Sequence, residues 1–394
     1  MTMSKQALFD FLSDEYCRLM IDLSKFRLTE EERENCKARF LALDTGKFYG
    51  LCHEHELDGV VGTKLLSMGL PLGETWQAEY DRQTAHLSFL RGKAKEICAV
   101  MEENGIPMVI LKNGGIMVDM MEHPAECPME DIDSLVKKSD FYRAHEILVQ
   151  NGFVFKFRSE YEAEKLDEAY RGGSTEYYIM TPNGEKMWFE LAWRAVAGRW
   201  IRLDLEPEAD GLIDSSHCAK DTKVHVLSPE DNLLQVSIHT AKHSYVRAPG
   251  LRLHLDVERI VACETIDWKL FFEKVNDTHV KTSTYFSLYI PHVLFGTPVP
   301  EWVLDALRPK KRKAKKIEKL LADASLLHPK QRKFGKLKFL RFQTALYDSK
   351  RDMMKVLNPG RETMHELYQY KNPLKTPYYL ICRLLDLCGI RKKK

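Results

Sequence analysis

The chain has 394 residues, of which 44% are hydrophobic and 29% are charged. These values are typical of globular proteins, and they exclude a collagen-like or largely disordered chain. The length predicts two or three packed units. Charged residues interrupt every apolar run before it reaches the roughly 18 residues of a membrane span, so we expect no transmembrane segment.

The number and spacing of the cysteines indicate the cellular compartment. The nine cysteines are an odd number and include no Cys-x-x-Cys pair that would indicate zinc or redox chemistry. Buried thiols in a reducing environment explain them. We therefore expect a cytoplasmic protein.

The first hundred residues are expected to be helical, because apolar residues recur three or four positions apart and turn signals are few. The clearest helix spans residues 87–101 and ends at Asn104-Gly105, where glycine can adopt a left-handed cap. Residues 106–111 form an uncharged run with β-branched side chains, which predicts a buried strand.

A glycine loop, Lys112-Asn113-Gly114-Gly115, separates this strand from a second helical pattern at residues 116–121. Residues 129–136 alternate polar and apolar side chains as a strand does. A helix at 141–148 follows, with Ser139 or Asp140 as its cap, and residues 153–157 are a further strand candidate.

Two strands at residues 176–180 and 186–192 flank Pro182-Asn183-Gly184, a strong hairpin signal. Ser228-Pro229-Glu230-Asp231 then marks the start of another helix. This order predicts an α+β or α/β core with a mixed sheet at residues 96–205. Helical regions at 1–95 and 206–394 should flank it.

Asp131 and Asp133 are the residues that point to chemistry. They lie two positions apart on a predicted strand, so both carboxylates leave the same face while Ile132 points into the core. Such a pair can share Mg²⁺ ions that also bind substrate phosphates. Glu190, on the second arm of the hairpin, is a candidate third carboxylate.

The glycine loop could cradle a phosphate, because it lies between a buried strand and the start of a helix. Lys112 would add a positive charge. An isolated Asp-x-Asp is more often a solvated strand edge, and an isolated Gly-Gly is usually a turn. The ordered combination of strand, glycine loop, helix, Asp-x-Asp strand and carboxylate strand is more specific.

Several segments resemble the uncharacterised nucleotidyltransferase family within the DNA polymerase β superfamily. In the core these are residues 109–115, 130–136 and 189–194, and the likeness continues at 229–234, 239–243, 255–257, 267–268 and 299–300. The resemblance covers nearly the whole chain, which makes a chance similarity improbable.

The resemblance implies a polymerase β-type nucleotidyltransferase core. It also implies metal-dependent transfer of a nucleoside monophosphate from a nucleoside triphosphate, expected to be ATP, to an unknown acceptor with release of pyrophosphate. Asp131, Asp133 and Glu190 would bind Mg²⁺ or Mn²⁺. Lys112, Asn113, Gly114 and Gly115 would form the nucleotide site, and the acceptor could be a small molecule, a sugar, a peptide or a protein.

The chain also departs from the family pattern. Asn113 replaces a glycine, Cys127 an arginine, Glu130 a glycine and Ala192 a histidine. These changes keep open an alternative, a catalytically degenerate module of the same fold that binds a nucleotide or a partner protein.

Four histidines and an aspartate outside the core are candidate ligands. His239 and His243 are four apart on a predicted helix, but the sequence offers no third zinc ligand at a sensible spacing, so an acceptor-pocket or structural role is favoured. Asp256 is a candidate contact for these histidines, although an ordinary, partly buried helix position is the commoner case. His53-Glu54-His55 is expected to be a solvated loop.

The positive charge is concentrated in one stretch. Residues 308–341 contain fourteen Lys or Arg against Glu318 and Asp323, so they carry +12 while the whole chain carries +2. Nucleic-acid binding, including an RNA-modifying activity, is therefore an open alternative, but a solvated helical face is favoured.

The tail from residue 377 to 394 could contact anionic lipid peripherally or pack on the domain as a closing helix; packing is favoured.

Overall fold

The structure is a computed structural model that describes residues 7–159, 164–196, 201–370 and 372–387. Most of it is helical. Along the described residues the α-helices are α1 (Glu15–Ser24), α2 (Glu30–Leu41), α3 (Thr45–Glu54), α4 (Asp58–Ser67), α5 (Glu74–Glu103), α6 (Lys112–Asp119), α7 (Phe141–Gln150), α8 (Leu166–Gly172), α9 (Ala209–Asp214), α10 (Pro229–Lys242), α11 (Arg252–Cys263), α12 (Trp268–Asp277), α13 (Lys281–Phe295), α14 (Glu301–Leu307), α15 (Lys311–Ala324), α16 (Lys336–Leu346), α17 (Lys350–Leu357), α18 (Arg361–Tyr368) and α19 (Thr376–Leu387).

One mixed sheet of seven strands lies among these helices. The strands are β1 (Val109–Leu111), β2 (Asp131–Leu135), β3 (Val154–Phe155), β4 (Ser174–Met180), β5 (Lys186–Ala192), β6 (His217–Cys218) and β7 (His225–Val226). Their order in the sheet is β3-β4-β5-β2-β1-β7-β6. Strand β2 pairs parallel with β5 and antiparallel with β1. The predicted α+β architecture with a mixed sheet is confirmed.

The hairpin and the helix start follow the signals in the sequence. Strands β4 and β5 pair antiparallel, and Gly184 in their turn has a φ of 79°, a left-handed conformation that glycine adopts without strain. At the start of α10, the Ser228 side chain accepts a hydrogen bond from the Asp231 N–H. Both predictions are confirmed because each rests on backbone chemistry that is local in sequence.

Three predicted elements differ from the observed ones. Strand β1 begins at Val109 instead of residue 106, because Pro107 has no N–H to donate to a sheet. Strand β3 covers two residues of the predicted 153–157. Strands β6 and β7 lie in the region predicted to be helical, and β7 extends the sheet by pairing parallel with β1 through Val109 and His225.

The predicted glycine loop is instead the first turn of α6, which begins at Lys112. A Cβ atom on Gly114 would lie 2.7 Å from Ile110 Cγ2, and one on Gly115 would lie 2.6 Å from the Ile110 carbonyl oxygen. The two glycines therefore let the helix begin immediately after β1 and pack directly against it. Larger side chains would push the helix away from the strand.

The expectation that His53-Glu54-His55 forms a solvated loop was wrong. His53 and Glu54 end α3, while His55 is fully buried and its Nδ1 accepts a hydrogen bond from the Leu251 N–H. Burial lowers the pKa of His55 to about 3, so the imidazole is neutral. This histidine thus connects α3 to the start of α11.

The C-terminal helix α19 packs by one face only. Cys382 and Leu387 are buried, whereas Tyr378 and Ile381 are 59% and 60% exposed. The basic residues predicted to contact lipid, 391–394, lie outside the described residues. Within the described part of the chain, no helix combines the length and apolar character needed to cross a membrane.

Candidate active site

Two of the three predicted metal-binding carboxylates meet on neighbouring strands. Asp133 on β2 and Glu190 on β5 are register partners. Their carboxyl groups are close enough to share a hydrogen bond when one is protonated. Asp131 lies two residues earlier on the same face of β2, since Ile132 between the two aspartates is fully buried.

Two cations neutralise these carboxylates. Lys112 Nζ lies 2.7 Å from Asp133 Oδ1, and the side chains of both residues are largely shielded from solvent. Arg158 lies 2.7 Å from Asp131 Oδ2 and 2.9 Å from Glu176 Oε1. The acidic face of β2 and β5 is therefore held between one lysine and one arginine.

Burial and neighbouring charges together shift the pKa values of both aspartates and of Lys112. Burial and the neighbouring Asp133 charge raise the pKa of Asp131, although Arg158 and Lys112 oppose the rise. Burial and Glu190 likewise raise the pKa of Asp133 against the effect of Lys112. For Lys112, burial acts to lower the pKa, but the carboxylates of Asp133 and Glu190 outweigh it and raise that pKa overall. An additional cation would relieve this crowding of like charges.

The predicted nucleotide-binding residues start α6 at the edge of this acidic face. No side chain caps the helix N-terminus at Leu111, so backbone N–H groups of the first turn are not satisfied by a cap. Asn113 is 7% exposed and donates from Nδ2 to the Pro128 carbonyl oxygen, 3.2 Å away. Asn113 thus ties α6 to the segment that leads into β2.

A cavity that is partly open to solvent lies above Asp133 and Glu190, and both carboxylates belong to its lining. Its walls combine apolar side chains, such as Ile201, Ile238 and Leu346, with polar ones from α10 and the C-terminal helices. Three buried polar atoms in these walls have no hydrogen-bond partner: Gln235 Oε1, His239 Nδ1 and Tyr347 Oη. Such groups are available to a ligand, because a buried polar atom is costly when unpaired.

The three candidate acceptor-pocket residues, His239, His243 and Asp256, do not all line the cavity. His239 lines the cavity with Lys112 and Asp133, and burial followed by the Lys112 charge lowers its pKa well below the usual value. The ring of His243 lies 4.8 Å from the ring of His239. However, His243 Nδ1 donates a hydrogen bond to the Ala248 carbonyl oxygen, and His243 does not line the cavity. Asp256 is 2% exposed on α11 and also lies outside the cavity lining.

Several residues at the site could not be predicted from the sequence. Arg158 follows the short strand β3, and only the pairing of β3 with β4 brings it beside Glu176 and Asp131. Arg202 and Asp352 form a 2.8 Å ion pair in the cavity wall, 150 positions apart in the chain. Such contacts depend on tertiary structure and leave no local signal in the sequence.

A family model described as an uncharacterised nucleotidyltransferase matches residues 42–296, which is more than half of the chain. The chain belongs to the uncharacterised nucleotidyltransferase family. The match spans β1 to β5, the carboxylates and α10 to α13, so the acidic face lies inside the region that defines this nucleotidyltransferase family. Searches among curated proteins and among solved structures found no match.

One departure from the nucleotidyltransferase pattern, at Cys127, has a structural substitute. Cys127 is fully buried, and its Sγ accepts a hydrogen bond of 3.5 Å from Arg259 on α11. Thus an arginine still lies near this position, although it comes from another helix. Ala192 is buried, has Leu135 and Ser174 as register partners on the adjacent strands, and lines the cavity.

A different group satisfies a strict distance criterion for metal binding. Among the described residues, ligand atoms of His53, Asp58 and Glu79 all lie within 4.8 Å of one another. Asp131, Asp133 and Glu190 do not form such a group together. Binding of two metal ions does not require all three carboxylates to lie this close together. Two ions about 3.5–4 Å apart would each contact only adjacent carboxylates.

Proposed function

We propose that the protein transfers a nucleoside monophosphate from a nucleoside triphosphate, with ATP as the expected donor, to an acceptor hydroxyl, and that the reaction requires two Mg²⁺ or Mn²⁺ ions. The observation that carries the proposal is the register pairing of Asp133 with Glu190, which line the cavity together with Lys112. Asp131 lies two residues before Asp133 on β2. Membership of a nucleotidyltransferase family supports it. A polymerase β-type core is part of the same proposal.

The donor set fits hard divalent cations. Carboxylate oxygens are the preferred ligands of Mg²⁺ and Mn²⁺, and burial and mutual repulsion leave Asp131 and Asp133 with raised pKa values. In the proposed site, Asp131 and Asp133 would hold both ions and Glu190 would hold one. Bound ions would supply charge neutralisation at the phosphates during an in-line displacement.

The protein groups have separate tasks in the proposed reaction. The first turn of α6 and Lys112 would bind the triphosphate, because uncapped N–H groups and an ammonium attract phosphate oxygens. The acceptor oxygen would form a bond to the α-phosphorus while the bond from that phosphorus to the bridging oxygen breaks and releases pyrophosphate. Glu190 would orient the acceptor hydroxyl or accept its proton.

The cavity would hold the organic part of the nucleotide or the acceptor. Its apolar walls suit a flat or aliphatic group. Gln235 Oε1 can accept a hydrogen bond, while the His239 Nδ1 and Tyr347 Oη positions can pair with hydroxyl or amide groups. Because His239 is neutral, its contribution would be hydrogen bonding rather than charge.

The test is pyrophosphate release from each labelled triphosphate with Mg²⁺ and a panel of acceptors. The variant carrying Asp131→Ala and Asp133→Ala should lose release, whereas one carrying Glu30→Ala and Glu31→Ala, two exposed carboxylates on α2, should retain it. Chelation of Mg²⁺ should abolish the wild-type signal. Equal release by wild type and by the Asp131/Asp133 variant would refute the catalytic role.

A second candidate is a non-catalytic module that binds a nucleotide or a partner protein in the same cavity. The observation that favours it is that Lys112 and Arg158 already pair with Asp133 and Asp131. Calorimetry separates the two functions. Tight triphosphate binding without metal dependence, and without turnover on any acceptor, would support the binding module.

A further inference from the structure

Three side chains from three helices converge in the N-terminal part of the chain. His53 lies near the end of α3, Asp58 is the first residue of α4, and Glu79 lies on α5. His53 Nδ1 is 3.0 Å from Asp58 Oδ2, and the ligand atoms of all three residues lie within 4.8 Å of one another. The cluster thus combines one imidazole with two carboxylates.

The cluster faces a cleft that is distinct from the cavity above Asp133. Glu130 and Trp188 also line this cleft. Glu130 precedes Asp131 in the chain, and Trp188 is the register partner of Asp131 on β5. A ligand in the cleft would therefore be accessible from solvent and would lie beside the entry of β2 rather than on its acidic face.

The two carboxylates of the cluster have different partners. Arg82 Nη2 donates to Glu79 Oε1 at 2.8 Å, and Arg82 Nε donates to Glu79 Oε2 at 2.9 Å. Asp58 is 2% exposed, and among the residues that the structure describes its carboxylate is hydrogen-bonded to a histidine and an amide, His53 and Gln83. A nearly buried carboxylate without a permanent cationic partner is an uncommon arrangement.

Gln83 provides a second, independent observation. Its Nε2 donates to Asp58 Oδ2 at 2.9 Å and to Glu79 Oε1 at 3.0 Å, so the amide bridges the two carboxylates. Its Oε1 is buried and has no hydrogen-bond partner. A half-turn of the amide would bring this unpaired oxygen toward the carboxylates, where a bound cation would attract it and repel the NH₂ group.

We propose that His53, Asp58 and Glu79 bind a transition-metal dication of the Zn²⁺ class, with Gln83 Oε1 or water completing the coordination. An imidazole ligand favours such ions over Mg²⁺, which prefers oxygen ligands alone. The metal would replace the His53–Asp58 and Gln83 hydrogen bonds with direct coordination. It would also join α3, α4 and α5.

By joining α3, α4 and α5, the metal would restrain the segment that leads into β2. A Cβ atom on Gly59 of α4 would lie 2.7 Å from the Ala125 carbonyl oxygen, so α4 touches the chain six residues before Asp131. Metal binding would therefore restrain α4 against this segment. The proposal does not depend on the nucleotidyl-transfer activity.

The test uses the full chain, stripped with chelator and carrying Asp131→Ala and Asp133→Ala so that the acidic face does not contribute. Titration with Co²⁺, followed by its visible absorption, should show one equivalent bound, with nitrogen and oxygen coordination. His53→Ala and Glu79→Gln should each weaken binding by at least about 10-fold. His86→Ala, which changes another histidine of the same cleft, should leave the affinity within about 2-fold.

Circular dichroism of each variant establishes that it is folded. Glu79→Gln retains the shape of the side chain, so it still tests the site if His53→Ala perturbs α3. Zn²⁺ should raise the unfolding temperature of the background protein but not of its His53→Ala form. No bound Co²⁺, or equal binding by the His53, Glu79 and His86 variants, would overturn the proposal. Neither result bears on triphosphate turnover by the wild type.

Discussion

Lys112 Nζ lies 2.7 Å from Asp133 Oδ1, and Asp133 is the register partner of Glu190 on the neighbouring parallel strand. The lysine thus lies beside the paired carboxylates of the acidic face, immediately after β1. Its charge offsets carboxylates that would otherwise repel one another. Stability, metal affinity and phosphate binding should all depend on this contact.

Lys112→Met should lower the free energy of unfolding of the metal-free protein by about 1–3 kcal/mol, because it leaves shielded carboxylates without their cation. Mg²⁺ should restore part of the loss by supplying positive charge. Lys93→Met is the matched control, since Lys93 pairs with Glu96 on the surface of α5 and should change stability by less than about 1 kcal/mol. Urea unfolding with and without Mg²⁺ measures both, and equal effects of the two variants would count against this view.

Arg158→Gln should increase the affinity for Mn²⁺ in the absence of nucleotide by about 2- to 10-fold, because a cation that competes for Asp131 is removed. Titration followed by electron paramagnetic resonance measures the affinity. Arg143→Gln, which removes a surface arginine 3.3 Å from Asp140, serves as control. A decrease in Mn²⁺ affinity in the Arg158 variant would mean that Arg158 does not compete with the metal.

Gly115→Ala should destabilise the protein by about 1–3 kcal/mol, because the new Cβ atom would meet the Ile110 carbonyl oxygen at 2.6 Å. Gly92→Ala, in the middle of α5, meets nothing within 4 Å and should instead stabilise the helix by up to about 1 kcal/mol. Thermal unfolding compares the two. If both substitutions were stabilising, α6 would not pack directly on β1.

The buried Asp256 should make stability dependent on pH. Burial raises its pKa to about 6, against the opposing charges of Arg252 and Arg259. The folded state therefore holds this proton more tightly than the unfolded state, and the contribution to stability is lost as pH rises from about 4 to about 6. The shift corresponds to about 3 kcal/mol at most.

Asp256→Asn removes this titration. The difference in unfolding free energy, wild type minus variant, should fall by about 2–3 kcal/mol between pH 4 and pH 6.5 in urea denaturation. Asp305→Asn changes an exposed carboxyl and should show no comparable trend. A constant difference for the Asp256 variant over this range would show that Asp256 ionises alike in both states.

The elements that could be predicted from the sequence are those that depend on residues close to one another in the chain. The alternation around Asp131 and Asp133 and the turn at Gly184 depend on neighbouring residues, and the elements they predict are present. The family resemblance is also confirmed. The pairing that brings Glu190 beside Asp133 was expected only in outline, since a sequence does not determine which strands become neighbours.

The site residues that could not be predicted from the sequence depend on contacts between segments that are distant in the chain. Arg158 reaches Asp131 through the pairing of β3 with β4, and His53 meets Glu79 only after α3, α4 and α5 have packed. His53 was therefore assigned to a solvated loop. The short strands β6 and β7 were missed because two-residue strands have no detectable period.

The location of Mn²⁺ tests the central claim most directly. We would grow crystals of the full chain with Mn²⁺ and a non-hydrolysable triphosphate and locate the ions by their anomalous scattering. We expect Mn²⁺ bound by Asp131, Asp133 and Glu190, with the triphosphate at the first turn of α6. Triphosphate bound in the cavity with no Mn²⁺ at these three carboxylates would contradict the proposed catalytic site.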